Sequence, residues 1–120
     1  MPVPKERLDR DYLGIKKIGL PVLDGLSFIN LNDIIYCEAK GSYTVITLTN
    51  NKSFTTFKIL KEVEMMLMTN NFLRVHNSWI INLNYLKNYF KGKSSYMEME
   101  NGKSIAVSLR KKGDILELFR

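Results

Sequence analysis

The 120-residue sequence has few of the side chains on which catalytic and metal sites depend. Cys37 is its single cysteine, so no internal disulfide can form and the thiol has no cysteine companion for a metal ion. His76 is its single histidine, which excludes a site built from several imidazoles. A Cys37–His76 dyad is conceivable, but Cys37 lies in an apolar run where a thiol behaves as a small hydrophobic side chain. We therefore expect no enzyme, no metal site and no cofactor.

Long apolar runs are also missing. The run at residues 31–37 is interrupted by Asn32 and Asp33, whereas a membrane-spanning helix needs roughly 18 apolar residues. Residues 1–7, Met-Pro-Val-Pro-Lys-Glu-Arg, lack the apolar segment of a secretory signal. These features predict a cytoplasmic protein without a membrane partner.

What the sequence does have is basic charge, concentrated near its C-terminal end. The formal net charge is +6, and residues 86–112 hold seven basic residues against two acidic ones. Such a stretch is typical of a surface that meets an anionic partner, but it is equally typical of a solvated face. Charge alone leaves both interpretations open.

Hydrophobic periodicity predicts a mostly β fold. Residues 1–14 are polar with two prolines and are interpreted as a linker or disordered leader, whereas residues 15–120 are interpreted as one domain. A period of two recurs in short runs, and Asn50-Asn51 and Asn101-Gly102 are hairpin signals. Helical spacing over residues 59–67 predicts a short mid-chain helix, with Thr56 as N-cap and Asn70 or Asn71 at its end. A second short helix is predicted around Ile115. Sandwich, barrel and stacked small sheets remain open.

Three polar segments stand at strand ends, where a rigid scaffold presents side chains to partners. Asparagine reads adenine and arginine reads guanine in the major groove, whereas lysine, serine and histidine suit phosphate oxygens. The segments are residues 40–43, with Lys40, Ser42 and Tyr43; residues 76–78, with His76, Asn77 and Ser78; and residues 108–112, with Ser108, Arg110 and Lys111.

Local alternatives stand beside these assignments. If Ser108 caps the last helix, the cations after it crowd the positive end of the helix dipole, where a phosphate ion would stabilise them. A helix that starts near Asp114 leaves them in a loop instead. Arg74 could form an ion pair with Glu38 or Glu64 instead of touching DNA. Structural or packing roles are the alternatives to DNA contact for Tyr43, His76 and Trp79.

Three blocks of the sequence resemble, in order, those of LytTR domains, the DNA-binding output domains of bacterial response regulators. The blocks are DIIYCEAKGSYTVITL at residues 33–48, FLRVHNSWIIN at residues 72–82 and NGKSIAVSLRKK at residues 101–112. The second is similar to the most characteristic run of the family, Phe-x-Arg-x-His-x-Ser-x-x-Val/Ile-Asn. The resemblance extends from about residue 16 to residue 119.

The resemblance implies stacked small antiparallel sheets whose loops enter successive major grooves and bend the duplex. By resemblance, Ser42 or Tyr43, Asn77 and Arg110 are base-directed, and Lys40, His76, Ser78, Ser108 and Lys111 are phosphate or positioning residues. Position 77 is commonly basic in the family, and an arginine is frequent where Leu109 stands. These departures affect which DNA sequence is recognised, and they leave the class of protein unchanged.

The family implies partners as well: promoter repeats of double-stranded DNA, a receiver domain in the full-length protein, and a homodimer on DNA. One alternative is a β-rich protein-interaction or signalling module without DNA affinity. Another is sequence-independent binding of RNA or a single strand, which exposed stacking aromatics would favour. Most aromatic residues here fall at positions that we expect to be core.

Overall fold

The computed structural model describes residues 13–67 and 71–119. The linker predicted at residues 1–14 falls largely on residues 1–12, which lie outside the described residues, as does Asn70. The described elements are, in chain order, β1 (Lys17–Val22), β2 (Gly25–Asn30), a 3₁₀ turn (Leu31–Asp33), β3 (Ile34–Lys40), β4 (Tyr43–Leu48), β5 (Ser53–Thr56), α1 (Leu60–Leu67), β6 (Phe72–His76), β7 (Trp79–Asn82), a 3₁₀ turn (Leu83–Tyr85), β8 (Leu86–Phe90), β9 (Tyr96–Met99), β10 (Ser104–Ala106) and α2 (Leu109–Leu118).

The strands form three small antiparallel sheets. β1 and β2 make a two-stranded hairpin, five strands form a central sheet in the order β5-β4-β3-β7-β6, and the third sheet has the order β10-β9-β8. The prediction of a mostly β fold with one mid-chain and one C-terminal helix is confirmed. Of the three architectures left open, the chain adopts the stacked sheets.

Two apolar clusters hold the sheets together, one on each face of the central sheet. The β1–β2 hairpin and α1 cover one face around Cys37, Ile46 and Ile80. The third sheet and α2 cover the other face around Ile35 and Ile81. Strands covered on both faces have continuous apolar runs instead of alternation, which explains the uninterrupted burial of β3 from its first residue to Cys37. In the second cluster Trp79 packs edge-on against Tyr36, with ring centroids 5.7 Å apart.

Turn chemistry agrees with the sequence signals at both hairpins. Asn51 has a φ of 64° between β4 and β5, and Gly102 has a φ of 89° between β9 and β10. The carboxamide oxygens of Asn50 and Asn101 each accept a hydrogen bond from the backbone N–H two residues later. This is the local bond that favours asparagine in turns.

The N-terminus of α1 differs from its prediction. The helix begins at Leu60, and the backbone N–H of Ile59 donates to the Glu62 carboxylate at 3.4 Å. Thr56, predicted as the N-cap, instead ends β5, and its hydroxyl donates to the Pro21 carbonyl at 3.4 Å. Within the described ranges, no helix combines the length and apolar character that crossing a membrane requires.

Candidate nucleic-acid interface

The first two polar segments lie side by side at one end of the central sheet. The β3–β4 turn and the β6–β7 turn share this end because β3 and β7 are antiparallel neighbours. The backbone N–H of Ala39 donates to the Ser78 carbonyl at 2.9 Å and ties the end of β3 to the second turn. Strands in a sheet lie about 4.8 Å apart, so the two turns are roughly two strand spacings from each other.

The third segment is held beside the second one. The backbone N–H of Ser108 donates to the Val75 carbonyl at 2.9 Å, next to His76 on β6. α2 starts at Leu109 with Ser108 as its N-cap residue, so a helix that starts near Asp114 is wrong. The first turn contains no acidic residue, and the Ser108 hydroxyl makes no capping hydrogen bond. Arg110 and Lys111 therefore stand at the positive end of the α2 dipole.

The β3–β4 turn is short and presents its side chains outward. Gly41 and Ser42 connect the paired residues Lys40 and Tyr43, and Gly41 has a φ of 64°, a conformation that side-chain-bearing residues rarely adopt. Ser42 is exposed, and Tyr43 is 42% exposed. Nζ of Lys40 lies 3.5 Å from the Glu38 carboxylate, in a partly exposed ion pair that contributes little to stability.

Arg74 organises the β6–β7 turn. Its Nε donates to the His76 carbonyl at 3.1 Å, and its Nη2 donates to the Asn77 carbonyl at 2.5 Å. Its Nη1 donates to Glu64 of α1 at 2.9 Å. Glu64, and not Glu38, is therefore the carboxylate partner. The planar guanidinium suits three acceptors at once, and it fixes the backbone from which Asn77 projects.

The side chains of this turn have distinct environments. The backbone N–H of Ser78 donates to Nδ1 of His76 at 3.1 Å, which places the ring proton on Nε2. Nε2 is thus a hydrogen-bond donor. Asn77 is exposed, and its carboxamide makes no hydrogen bond within the part of the chain that the structure describes. Both of its donors and its acceptor are available to a partner.

Five of the predicted site residues meet around one open groove of about 230 Å³. They are His76, Asn77, Ser108, Arg110 and Lys111, and the Arg74–Glu64 pair completes the lining. Lys40, Ser42 and Tyr43 lie outside this groove, on the neighbouring turn. Sequence reasoning considered Arg74 only as a partner of a carboxylate and missed its hold on the loop. The signal available was its place two residues before His76 in the second family-like block.

The nucleophilic alternative has no support in the geometry. Burial raises the pKa of the Cys37 thiol from 9.0 to about 12, so the group stays protonated in the core. Among the described residues, no group of three or more His, Cys, Asp and Glu side chains is arranged to hold a metal ion.

The expectation that most aromatic side chains lie in the core is wrong. Six in the described ranges are exposed: Phe28, Tyr43, Phe57, Phe90, Tyr96 and Phe119. Two of these, Phe90 and Tyr96, stack on each other with ring centroids 4.9 Å apart. Phe90 ends β8 and Tyr96 begins β9, so this pair lies on the third sheet and not among the three polar segments.

The family model described as the LytTr DNA-binding domain matches residues 24–120. The chain belongs to this family. It superimposes with a TM-score of 0.72 and 25% identity on the LytTr DNA-binding domain of a putative methyl-accepting/DNA response regulator from Bacillus cereus, covering 87% of this chain and 96% of that one. The LytTr fold and a role in DNA binding follow from these findings.

Two curated relatives extend the LytTr comparison. The chain is 29% identical to the sensory transduction protein LytT of Bacillus subtilis (strain 168) over 107 residues, which are 86% of this chain and 43% of that protein. It is 31% identical to the CO-responsive transcriptional regulator RcoM of Rhodospirillum rubrum over 80 residues, which are 67% of this chain and 34% of that protein. The chain thus spans less than half the length of these relatives. Membership of a DNA-binding family points to a binding role and not to catalysis.

Proposed function

We propose that the chain binds duplex DNA sequence-specifically through the three polar segments, as the output domain of a bacterial transcription regulator. The observation that carries the proposal is their placement in one row at one end of the central sheet. Two backbone hydrogen bonds fix that row, from Ala39 to Ser78 and from Ser108 to Val75. Residues that are about 70 positions apart in the sequence, such as Lys40 and Lys111, thereby lie on one surface, as a groove-binding protein requires.

Side-chain chemistry divides the surface into two roles. Asn77 and Arg110 are exposed and suit the edges of adenine and guanine, with Ser42 or Tyr43 as a third base-directed group. Lys40, His76, Ser78, Ser108 and Lys111 position the domain on phosphates. The Nε2–H of His76 is a suitable donor for a phosphate oxygen.

The start of α2 adds an electrostatic reason for an anion. Three cations stand in the first helical turn without an acidic residue, and each is destabilising there by about 0.3–1 kcal/mol in the free protein. A DNA phosphate near Ser108 reverses this effect, because it is attracted both by the cations and by the unpaired N–H groups of the helix end.

The organisation of the whole protein is proposed from the relatives. The B. subtilis relative is a sensory transduction protein, and this chain covers 43% of its length. We propose residues 15–120 as the DNA-binding domain, residues 1–14 as a linker, a receiver domain in the full-length cytoplasmic regulator, and two copies bound to promoter repeats.

A gel-shift titration of the chain on duplex DNA over a salt series tests the proposal. Counterion release predicts that log Kd changes with log salt by about 0.9 per phosphate contacted. Arg110→Ala should cost about 1–3 kcal/mol at one base pair and relax specificity there, whereas Lys111→Ala should weaken all sequences alike and lower the slope by about one contact.

Lys52→Ala serves as the charge-matched control, because Lys52 is exposed in the β4–β5 turn at the opposite end of the central sheet. Binding that is absent for every duplex, or insensitive to salt, contradicts DNA recognition and favours a protein-interaction module. Equal competition by single-stranded DNA favours the stacking alternative instead.

A further inference from the structure

Leu109 is an apolar side chain in the middle of the polar surface. It is the first residue of α2, between Ser108 and Arg110, and it is 81% exposed. Isolated exposed leucines are ordinary on protein surfaces. Leu109 differs because it shares its position with the residues that the proposed function directs at DNA.

Helix geometry places Leu109 beside Arg110 on the outward face of α2. Ile115 is the buried residue of the helix and marks the face that contacts the body. At 100° per residue, Lys111 lies about 40° from Ile115, and it is half-buried accordingly. Leu109 and Arg110 lie about 120° and 140° from Ile115, so both project away from the domain.

Gly113 gives an independent sign that something approaches this face. It lies four residues after Leu109 and therefore directly along the same face. A Cβ atom at position 113 would meet nothing within 4 Å, and its φ is not in the positive range. The fold thus gives no reason for a residue that weakens helices relative to alanine. Close approach of a partner to the helix backbone is such a reason.

We propose that Leu109 recognises the C5-methyl group of a thymine in the major groove, next to the base read by Arg110. This inference rests on the proposed DNA binding. Of the four bases, only thymine presents an apolar group on its major-groove edge. An apolar side chain against any other base covers polar atoms without pairing them, which is unfavourable. Leu109 thus selects a T·A pair beside the base pair that Arg110 contacts.

The test replaces thymine by uracil, which lacks only the methyl group. A preferred duplex is first selected from a random-sequence pool with the wild-type chain, and each thymine is then exchanged singly. Burial of one methyl group is worth about 0.8 kcal/mol, which corresponds to about a fourfold change in Kd at 1.4 kcal/mol per tenfold. One exchange should therefore weaken binding about fourfold, and Leu109→Ala should abolish that sensitivity.

Leu118→Ala is the matched control, because Leu118 is an exposed leucine near the other end of the same helix. It should leave the uracil sensitivity unchanged. Leu109→Arg should move the preference at that base pair from thymine to guanine, since arginine bonds the guanine edge in bidentate fashion. Thermal unfolding of each variant shows whether it is folded.

The outcomes separate the two proposals. If no duplex is enriched, DNA recognition itself fails, and the Leu109 role fails with it. If a duplex is bound but no thymine is sensitive, or if Leu109→Ala keeps the sensitivity, DNA recognition stands and the thymine contact of Leu109 is overturned.

Discussion

Substitution of Arg74 should show whether this residue acts by fixing the backbone of the β6–β7 turn or by contacting DNA directly. The guanidinium donates to two backbone carbonyls, at His76 and Asn77, and forms the ion pair with Glu64. Hydrogen bonds from a charged group contribute about 1.5 kcal/mol each at the low end of their range. The ion pair adds about 0.5 kcal/mol, because the Glu64 side chain is 39% exposed.

Arg74→Ala should therefore lower the free energy of unfolding by about 3.5 kcal/mol, the sum of these contributions. Arg74→Lys keeps the charge but lacks the planar fork, so it can hold the ion pair or one carbonyl and not all three acceptors. It should remain folded, lose roughly 1–2 kcal/mol and bind DNA at least about tenfold more weakly, because the backbone that carries Asn77 is no longer fixed. Urea unfolding and gel-shift titration measure the two quantities.

Glu64→Gln is the control, since it removes the ion pair and leaves both carbonyl bonds. It should cost less than about 1 kcal/mol and leave DNA affinity nearly unchanged. The reasoning is refuted if Arg74→Lys matches the wild type in stability and affinity. It is also refuted if Arg74→Ala retains full stability while the salt slope of binding falls by one contact, because Arg74 then touches a phosphate.

Two further predictions concern Cys37 and Gly113. Because burial raises the pKa of Cys37 from 9.0 to about 12, its contribution to stability is complete below pH 9 and decreases as pH rises, by about 1.4 kcal/mol at pH 10. Urea unfolding at pH 7 and pH 10 should show this loss in the wild type and not in Cys37→Ala; identical pH dependence would contradict it. Gly113→Ala should raise the free energy of unfolding by about 0.5–1 kcal/mol while weakening DNA binding, because the new methyl group lies on the Leu109 face. A variant that gained both stability and affinity would exclude close approach at this position.

The parts of the fold that follow from neighbouring residues were predictable from the sequence. The Asn50-Asn51 and Asn101-Gly102 turns depend on positive φ and on bonds within two residues, so their composition is informative. The β1–β2 hairpin was less evident. Pro21 weakens the strand signal, and it is tolerated in β1 because, among the described strands, β1 pairs with β2 alone.

Interactions between residues far apart in the sequence explain the predictions that were wrong or left open. Thr56 is a plausible helix cap by composition, but its hydroxyl bonds the Pro21 carbonyl 35 residues earlier. The choice between Glu38 and Glu64 as the partner of Arg74 depends on how α1 packs near β6, which no local pattern reveals. The three polar segments were recognisable singly, whereas their arrangement in a row depends on strand order and on the Ser108–Val75 bond.

The first turns of α2 deviate from three local rules at once, and the deviations are spatially ordered. Cations occupy the end of the helix where acidic residues are favoured, Leu109 is apolar and exposed, and Gly113 stands where alanine is better. Leu109, Arg110 and Gly113 lie on the side of the helix that points away from the buried Ile115. A sequence selected for stability alone has no reason to collect these features in the first turns of one helix, because the cations and Gly113 each destabilise the free domain. In most proteins the local residue preferences agree with the fold, and the exceptions lie mainly at functional sites. The cations at the start of α2 are therefore evidence, independent of family resemblance, that this end of the helix meets an anionic partner.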